Sequence, residues 1–465
     1  MNNKIYIILT IIITLFLCIY YKVNTDIDLR FFMLSQLLQG PFIPSRFWWT
    51  ITNIFKDKSG AETYKSLISN NKSGFYKTNI NGIDTYIVLD MKYIKTILDN
   101  SPTIFGAGKS QKLLYDSFMN KNVNVSDATN WQFRRKLNMD VLMTDRVHNL
   151  LNNLIKFTNN YINPNPFPLN YSNYKDIART ITSYIIFGDK TEITDDVYNL
   201  ISDSNKLELL TGNMANICPY ARLKLDNLIQ SNLNRCTSGH KSLTERATIL
   251  KYKNREELVH QIPHWIFAIT EIISIVVPRL LCLLCNHPDK FAKLTKEIKR
   301  VYYDKNIYAS AISCKTPYLR YCILETLRLN APVSTISRTL LEKEYIFKDL
   351  NTTFNQGDQF MIFISGILRN ETYFDMPNRF VPERWQGKCS EKDYHSLMWS
   401  QGPQRCPGKD LSIMIIKVII IFLMIKLEFN ISKLKCHHNL NISNIDVINP
   451  FDITFTYFNK IQGTN

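Results

Sequence analysis

The chain has 465 residues, 45% of them hydrophobic, with 56 Lys and Arg against 40 Asp and Glu for a formal charge of +16. That is ample for one large core, and the basic excess does not make it a nucleic-acid binder: cations are scattered, no basic run exceeds three residues and no recognition motif occurs. The 10 cysteines are equally scattered; Cys282 and Cys285, the only close pair, lie in an apolar helical stretch and read as core packing rather than zinc, and unpatterned thiols suit a reducing compartment.

In chain order, Ile5 to Tyr21 is apolar apart from Thr10 and Thr14 and carries no charge. As a helix it spans about 25 Å, close to a hydrocarbon core of about 30 Å, and no small-x-small site follows. Residues 1–22 are therefore expected to form a membrane anchor and 23–465 one globular domain, with the basic excess after the segment favouring a cytosolic placement. Gly40-Pro41-Phe42-Ile43-Pro44 stiffens the link. Gly74 to Leu89 reads as a strand pair turning at Asn81-Gly82, and Met91 to Leu98 as a helix. Trp131-Gln132-Phe133-Arg134-Arg135 sits on an early helix, and Val147 to Lys251 is helical, polar and without landmarks. An apolar helix runs from about His260 to Leu284. A further helix carries Glu325 and Arg328 at i and i+3, on one face. Strands are expected around Ile336, next to Arg338, and over Phe360 to Ile364; Phe380-Val381-Pro382-Glu383-Arg384-Trp385 follows.

The most informative run is Trp399-Ser400-Gln401-Gly402-Pro403-Gln404-Arg405-Cys406-Pro407-Gly408, leading into a helix over Leu411 to Leu427. Its glycines permit a tight turn and close approach to a flat group, and a helix N-terminus favours an anionic sulfur. This suits Cys406 as a thiolate ligand of haem iron. The cysteine loop, the Glu-x-x-Arg of Glu325 and Arg328, and the Pro-Glu-Arg-Trp run together resemble the cytochrome P450 family over roughly residues 75–427. The resemblance implies a mainly α fold with small β-sheets, α+β in class, and a bound haem b. It implies a buried triad of Glu325, Arg328 and Arg384, with Trp131, Arg135 and Arg338 meeting haem propionates. Gln404 stands where the family usually has a basic residue, so Arg405, one place later, is the cationic candidate from this loop. The proline run looks like the family's membrane hinge.

Counting back from Asn286-His287-Pro288-Asp289, the resemblance places Ala268-Ile269-Thr270-Glu271-Ile272-Ile273 over the haem. Here the chain departs from the family: Ile269 holds the glycine position and Ile272 the alcohol position, leaving Glu271 as the acid and Thr270 and Ser274 as the nearest hydroxyls, a one-residue shift rotating a side chain by roughly 100°. Glu271 and Thr270 are the catalytic candidates, in a tight apolar pocket with Phe267 and Ile273. A monooxygenase acting on a small hydrophobic substrate, with an NADPH-dependent reductase or another acidic electron donor on the basic surface, is the leading expectation. A hydroperoxide-rearranging isomerase or dehydratase, and a haem-binding protein that has lost oxygen activation, stay open.

Overall fold

The computed structural model describes residues 61–71, 73–80, 83–108, 112, 121–126, 128–142, 170–188, 219–235, 242–250, 255–302, 315–333, 335–387 and 394–457. The expected anchor, the proline run, the Asn81-Gly82 turn and part of the polar middle lie outside these residues.

The N-terminal half contributes helix α1 (Ala61–Asn70), strands β1 (Phe75–Ile80) and β2 (Ile83–Val88), α2 (Met91–Asp99), β3 (Phe105–Ala107), α3 (Ala128–Leu142) and α4 (Tyr171–Phe187). Next come α5 (Pro219–Arg235), α6 (Leu243–Ile249), the long α7 (Arg255–Asn286), α8 (Pro288–Tyr302) and α9 (Pro317–Leu329). Strands β4 (Thr335–Leu340), β5 (Glu344–Ile346), β6 (Thr353–Asn355) and β7 (Gln359–Phe363) follow, then α10 (Ile364–Leu368), α11 (Lys409–Lys426), β8 (Leu434–Cys436) and β9 (Phe455–Tyr457). The strand pair expected between Gly74 and Leu89 is β1–β2, paired antiparallel, and α2 begins where the sequence places it.

Local chemistry explains these elements. Asp90 caps α2 by accepting from the Lys92 amide at 2.9 Å, and Tyr93, Ile94, Ile97 and Leu98 form its buried face. The main sheet runs β1-β2-β7-β4-β3; β2 and β7 pair in parallel, and the other neighbours are antiparallel. Aromatic rings fill its inner side, with Phe75 4.7 Å from Tyr93 and 5.2 Å from Phe354, and Phe105 edge-on to Phe360 at 5.4 Å.

The helical core lies around α7 and α11. Almost every residue of α11 from Leu411 to Met424 is buried, so this helix is apolar on all sides and has no solvent face. Lys417 is the exception, 4% exposed, its ammonium donating to Thr316 Oγ1 at 2.9 Å. Thr316 precedes α9, whose N-terminal amides are capped from α8: Glu297 accepts from Tyr318 N at 2.6 Å and Leu319 N at 2.9 Å. Helix α7 continues through Pro263 and Pro278, each removing one internal hydrogen bond. By length and composition it could cross a membrane, but 78% of its most apolar window is buried inside the protein. It is a core helix.

Candidate active site

The Cys406 loop hangs between a 3-10 turn (Tyr394–Trp399) and α11. Ser400 and Gly402 turn the chain with φ of 57° and 70°, and the Cys406 amide closes the loop on Trp399 O at 2.7 Å. Only glycine fits at 402, because a Cβ there would lie 2.2 Å from the Leu98 carbonyl oxygen of α2. Burial pushes the Cys406 thiol above its ordinary pKa, partly offset by the Gly408 amide and the charges of Arg135 and Lys409. Such a sulfur becomes a thiolate when a metal ion replaces its proton.

The expected cationic residues distribute unequally. Arg135, one turn after the half-buried Trp131 on α3, donates to the Arg405 carbonyl at 2.5 Å, and burial lowers its pKa while Cys406 opposes the fall. Arg405 itself is exposed and enters this contact through its backbone, not its guanidinium, which departs from the expected role. Arg338 on β4 is 5% exposed and bonds only neutral oxygens, Ser101 Oγ at 3.2 Å and Ser337 O at 2.8 Å. Burial alone lowers its pKa to about 10, and among the described residues no carboxylate faces it. In the loop, Trp399 Nε1, Ser400 Oγ and Gln404 Nε2 are buried without a hydrogen-bond partner among the described residues. A half-buried sulfur, a buried cation bonded to neutral oxygens and buried polar atoms fit a flat, dianionic metal cofactor such as haem.

Behind the loop, Glu325 of α9 is fully buried and saturated. It accepts from Arg328 Nη2 at 2.8 Å and Nε at 2.9 Å, Arg384 Nε at 2.9 Å, Val381 N at 3.0 Å and Trp385 Nε1 at 3.0 Å. Burial alone would raise its pKa; the charges and hydrogen bonds of Arg328, with Arg384, outweigh that and hold it below the ordinary value. Arg328 also donates to Leu368 O and Pro377 O, both at 2.7 Å. The expected triad is thus assembled, and Trp385 and Val381 are donors that motif reasoning missed. Next to it Glu383 is clamped by Lys293 at 2.6 Å and Lys290 at 3.2 Å. Burial opposes its ionisation, but the two lysines pull its pKa down to about 2.

Between Leu258 and Leu284 on α7, the residues that are not fully buried form one stripe: His260, His264, Phe267, Ala268, Glu271 and Ile272. This spacing marks a helix face that borders open volume. Ile269 and Ile273 lie off the stripe, 7% and 1% exposed, packed in the core rather than lining the pocket as expected. Thr270, expected to serve beside Glu271, is turned away: its hydroxyl is fully buried and donates to Thr182 Oγ1 of α4 at 3.0 Å. The stripe also carries a pair with no motif to mark it, His264 Nε2 and Asn124 Nδ2 at 2.9 Å, joining segments 140 residues apart. Burial lowers the His264 pKa to about 4, so the imidazole is neutral at neutral pH.

Comparison with known proteins agrees with this geometry. The cytochrome P450 family profile matches residues 222–451, the stretch holding α7, the Glu325 network and the Cys406 loop. The chain belongs to the cytochrome P450 family. Its fold is that of a cyanobacterial P450 solved with retinoic acid bound, CYP120A1, with a TM-score of 0.69 and 15% identity over 85% of this chain and 93% of that one. Among sequence relatives, guinea pig (Cavia porcellus) cytochrome P450 3A15 is 27% identical over 209 residues, covering 44% of this chain and 39% of the relative. Mouse (Mus musculus) 24-hydroxycholesterol 7-alpha-hydroxylase is 31% identical over 153 residues, 31% of this chain and 32% of the relative. The chain therefore aligns with about two-fifths or less of these relatives' length. Membership implies a haem, whose holders here would be Cys406, with Arg338, Arg135 and Trp131 toward its propionates.

Proposed function

We propose that this P450 is a haem-thiolate monooxygenase that holds haem b through Cys406 and inserts one oxygen atom from O2 into a small hydrophobic substrate, with electrons from an NADPH-dependent reductase or a similar donor. The observation that carries this reading is the half-buried Cys406 sulfur close to the Arg135 charge, with the buried, anion-seeking Arg338 on β4. When bound, the haem supplies the oxygen activation. The chain's own residues do the rest. Glu271, on the open stripe of α7, is the group placed to hold and pass a proton, while Phe267 and Ile272 keep the same face apolar and exclude water. Gln404 and Arg338 orient the cofactor's edge, and the Glu325 network fixes the Cys406 loop. Residues 1–22 would anchor residues 23–465 to a membrane, bringing the pocket to lipophilic substrate.

The test is the visible difference spectrum of reduced protein with and without carbon monoxide. A thiolate-type Soret band in the wild type that disappears in Cys406→Ser supports the reading, and a band indifferent to Cys406 overturns it. One observation favours a second reaction on the same scaffold. Ile272 takes the place of an alcohol on the stripe, Thr270 is bonded to Thr182 and Ser274 Oγ donates to the Glu271 carbonyl at 3.3 Å, an arrangement that suits a substrate that already contains an O–O bond. Turnover of a lipid hydroperoxide without reductase would select it; NADPH consumption coupled to product would select the monooxygenase. A spectrum with neither activity would leave a haem-binding scaffold.

A further inference from the structure

Far from Cys406, the end of α7 meets the strand β8. The Sγ atoms of Cys282 and Cys436 lie 3.4 Å apart, joining residues separated by 154 positions. Cys285, one turn on, points its sulfur at Leu434 O at 3.9 Å, and Asn286 Nδ2 donates to Cys282 O at 2.9 Å. The wall is apolar: Tyr174 of α4 is buried beside the three thiols, edge-on to Phe455 at 6.2 Å, and its hydroxyl has no partner. Among the described residues no group of three His, Cys, Asp or Glu side chains could hold a metal ion, so the thiols do not form a metal site.

The two cysteines differ. Cys282 is fully buried, whereas Cys436 is half-buried on a two-stranded hairpin. The hydrogen bond from Cys282 lowers the Cys436 pKa against the effect of burial, and Cys282 is raised in return. An accessible, lower-pKa thiol beside a sheltered one is the arrangement of an attacking and a resolving cysteine. Closing the pair into a disulfide of roughly 2.05 Å requires under about 1.5 Å of approach.

We propose that Cys282 and Cys436 form a reversible redox-modification site whose oxidant is a small-molecule disulfide of the glutathione class. The Cys436 thiolate attacks one sulfur of the oxidised glutathione, forming a mixed disulfide and releasing one glutathione thiolate. The Cys282 sulfur then attacks the Cys436 sulfur, the second glutathione leaves, and the Cys282 proton goes to it. Two protein thiols lose two hydrogens to one disulfide, and one glutathione disulfide becomes two thiols. The link would fasten the β8–β9 hairpin to α7, three turns beyond Glu271 on nearly the same helix face. The site stands independently of the haem reading, because its readout involves neither spectrum nor turnover.

The experiment equilibrates the full chain at a series of reduced-to-oxidised glutathione ratios, quenches with acid, alkylates free thiols, and reads intact mass and linked peptides. The expected result is a single transition in which the wild type loses two hydrogens, with the peptides of Cys282 and Cys436 joined. Cys285→Ser should make the same transition. Cys282→Ser should stop at the Cys436 glutathione adduct, and Cys436→Ser should gain no internal link. Wild-type protein that keeps both thiols at the most oxidising ratio, or links any other pair, overturns the proposal, as does loss of the transition in Cys285→Ser. Because the deciding result is read on the wild type, a variant that fails to fold does not shelter it.

Discussion

Behind the Cys406 loop the buried charge is fully paired, Glu325 being saturated by Arg328, Arg384, Trp385 and Val381. Along the stripe of α7 apolar side chains alternate with His260, His264 and Glu271, and the two nearby hydroxyls are spent elsewhere, Thr270 on Thr182 of a neighbouring helix and Ser274 on the Glu271 carbonyl. The first region tolerates little change because a buried charge is stable only when fully paired. The second tolerates Ile272 in place of an alcohol because an apolar side chain on a helix face leaves no unmet bond. Scaffold and chemistry in this P450 therefore answer to different constraints, and a chain can keep one while varying the other.

The contrast can be broken in order of effect. Cys406→Ser should abolish the thiolate-type carbon monoxide spectrum completely. Glu325→Ala, leaving Arg328 buried without its carboxylate, should destabilise the fold by about 3–5 kcal/mol, read by denaturant unfolding. If it costs no more than a surface change, the network does not hold the loop. Ile272→Thr restores a hydroxyl on the open stripe and should raise product formed per NADPH consumed; no change favours the hydroperoxide reaction. Thr270→Val should cost about 1 kcal/mol through the lost Thr182 bond while leaving turnover unchanged. A large fall in turnover would return Thr270 to the catalytic set.

The smallest effect concerns acid. Glu383 titrates near 2 in the folded protein against an ordinary 4.5, so its clamp contributes fully above the higher value and is lost as pH falls between the two. Glu383→Gln should flatten that part of a plot of unfolding temperature against pH. An unchanged slope would place the acid sensitivity elsewhere, His264 being the next group: its folded pKa of about 4, depressed from 6.5, penalises the fold as pH drops through that interval.

Much of this was legible in the sequence where one motif carries its own geometry. Glu325 and Arg328 meet because i and i+3 share a helix face, and the Cys406 loop turns at Gly402, whose φ of 70° suits a glycine. On α7, Ala268, Glu271 and Ile272 share one face, as the helical period requires, while Ile269 and Ile273 turn into the core. What escaped depends on partners distant in the chain. Nothing in the run around Thr270 names Thr182, and nothing around His264 names Asn124. The contact between Arg135 and the Arg405 carbonyl escaped for the same reason, since 270 residues separate the two.

The parallel pairing of β2 with β7 has a consequence for synthesis. Thr85 meets Gln359 across 274 residues, so the β1–β2 ribbon must wait on the ribosome with an unpaired edge until the later strand is made. At about 5–20 residues per second that wait is roughly 15–55 s. A chaperone that covers the nascent edge during this interval, more than any residue of the finished pocket, would then set how much of the enzyme reaches its native state.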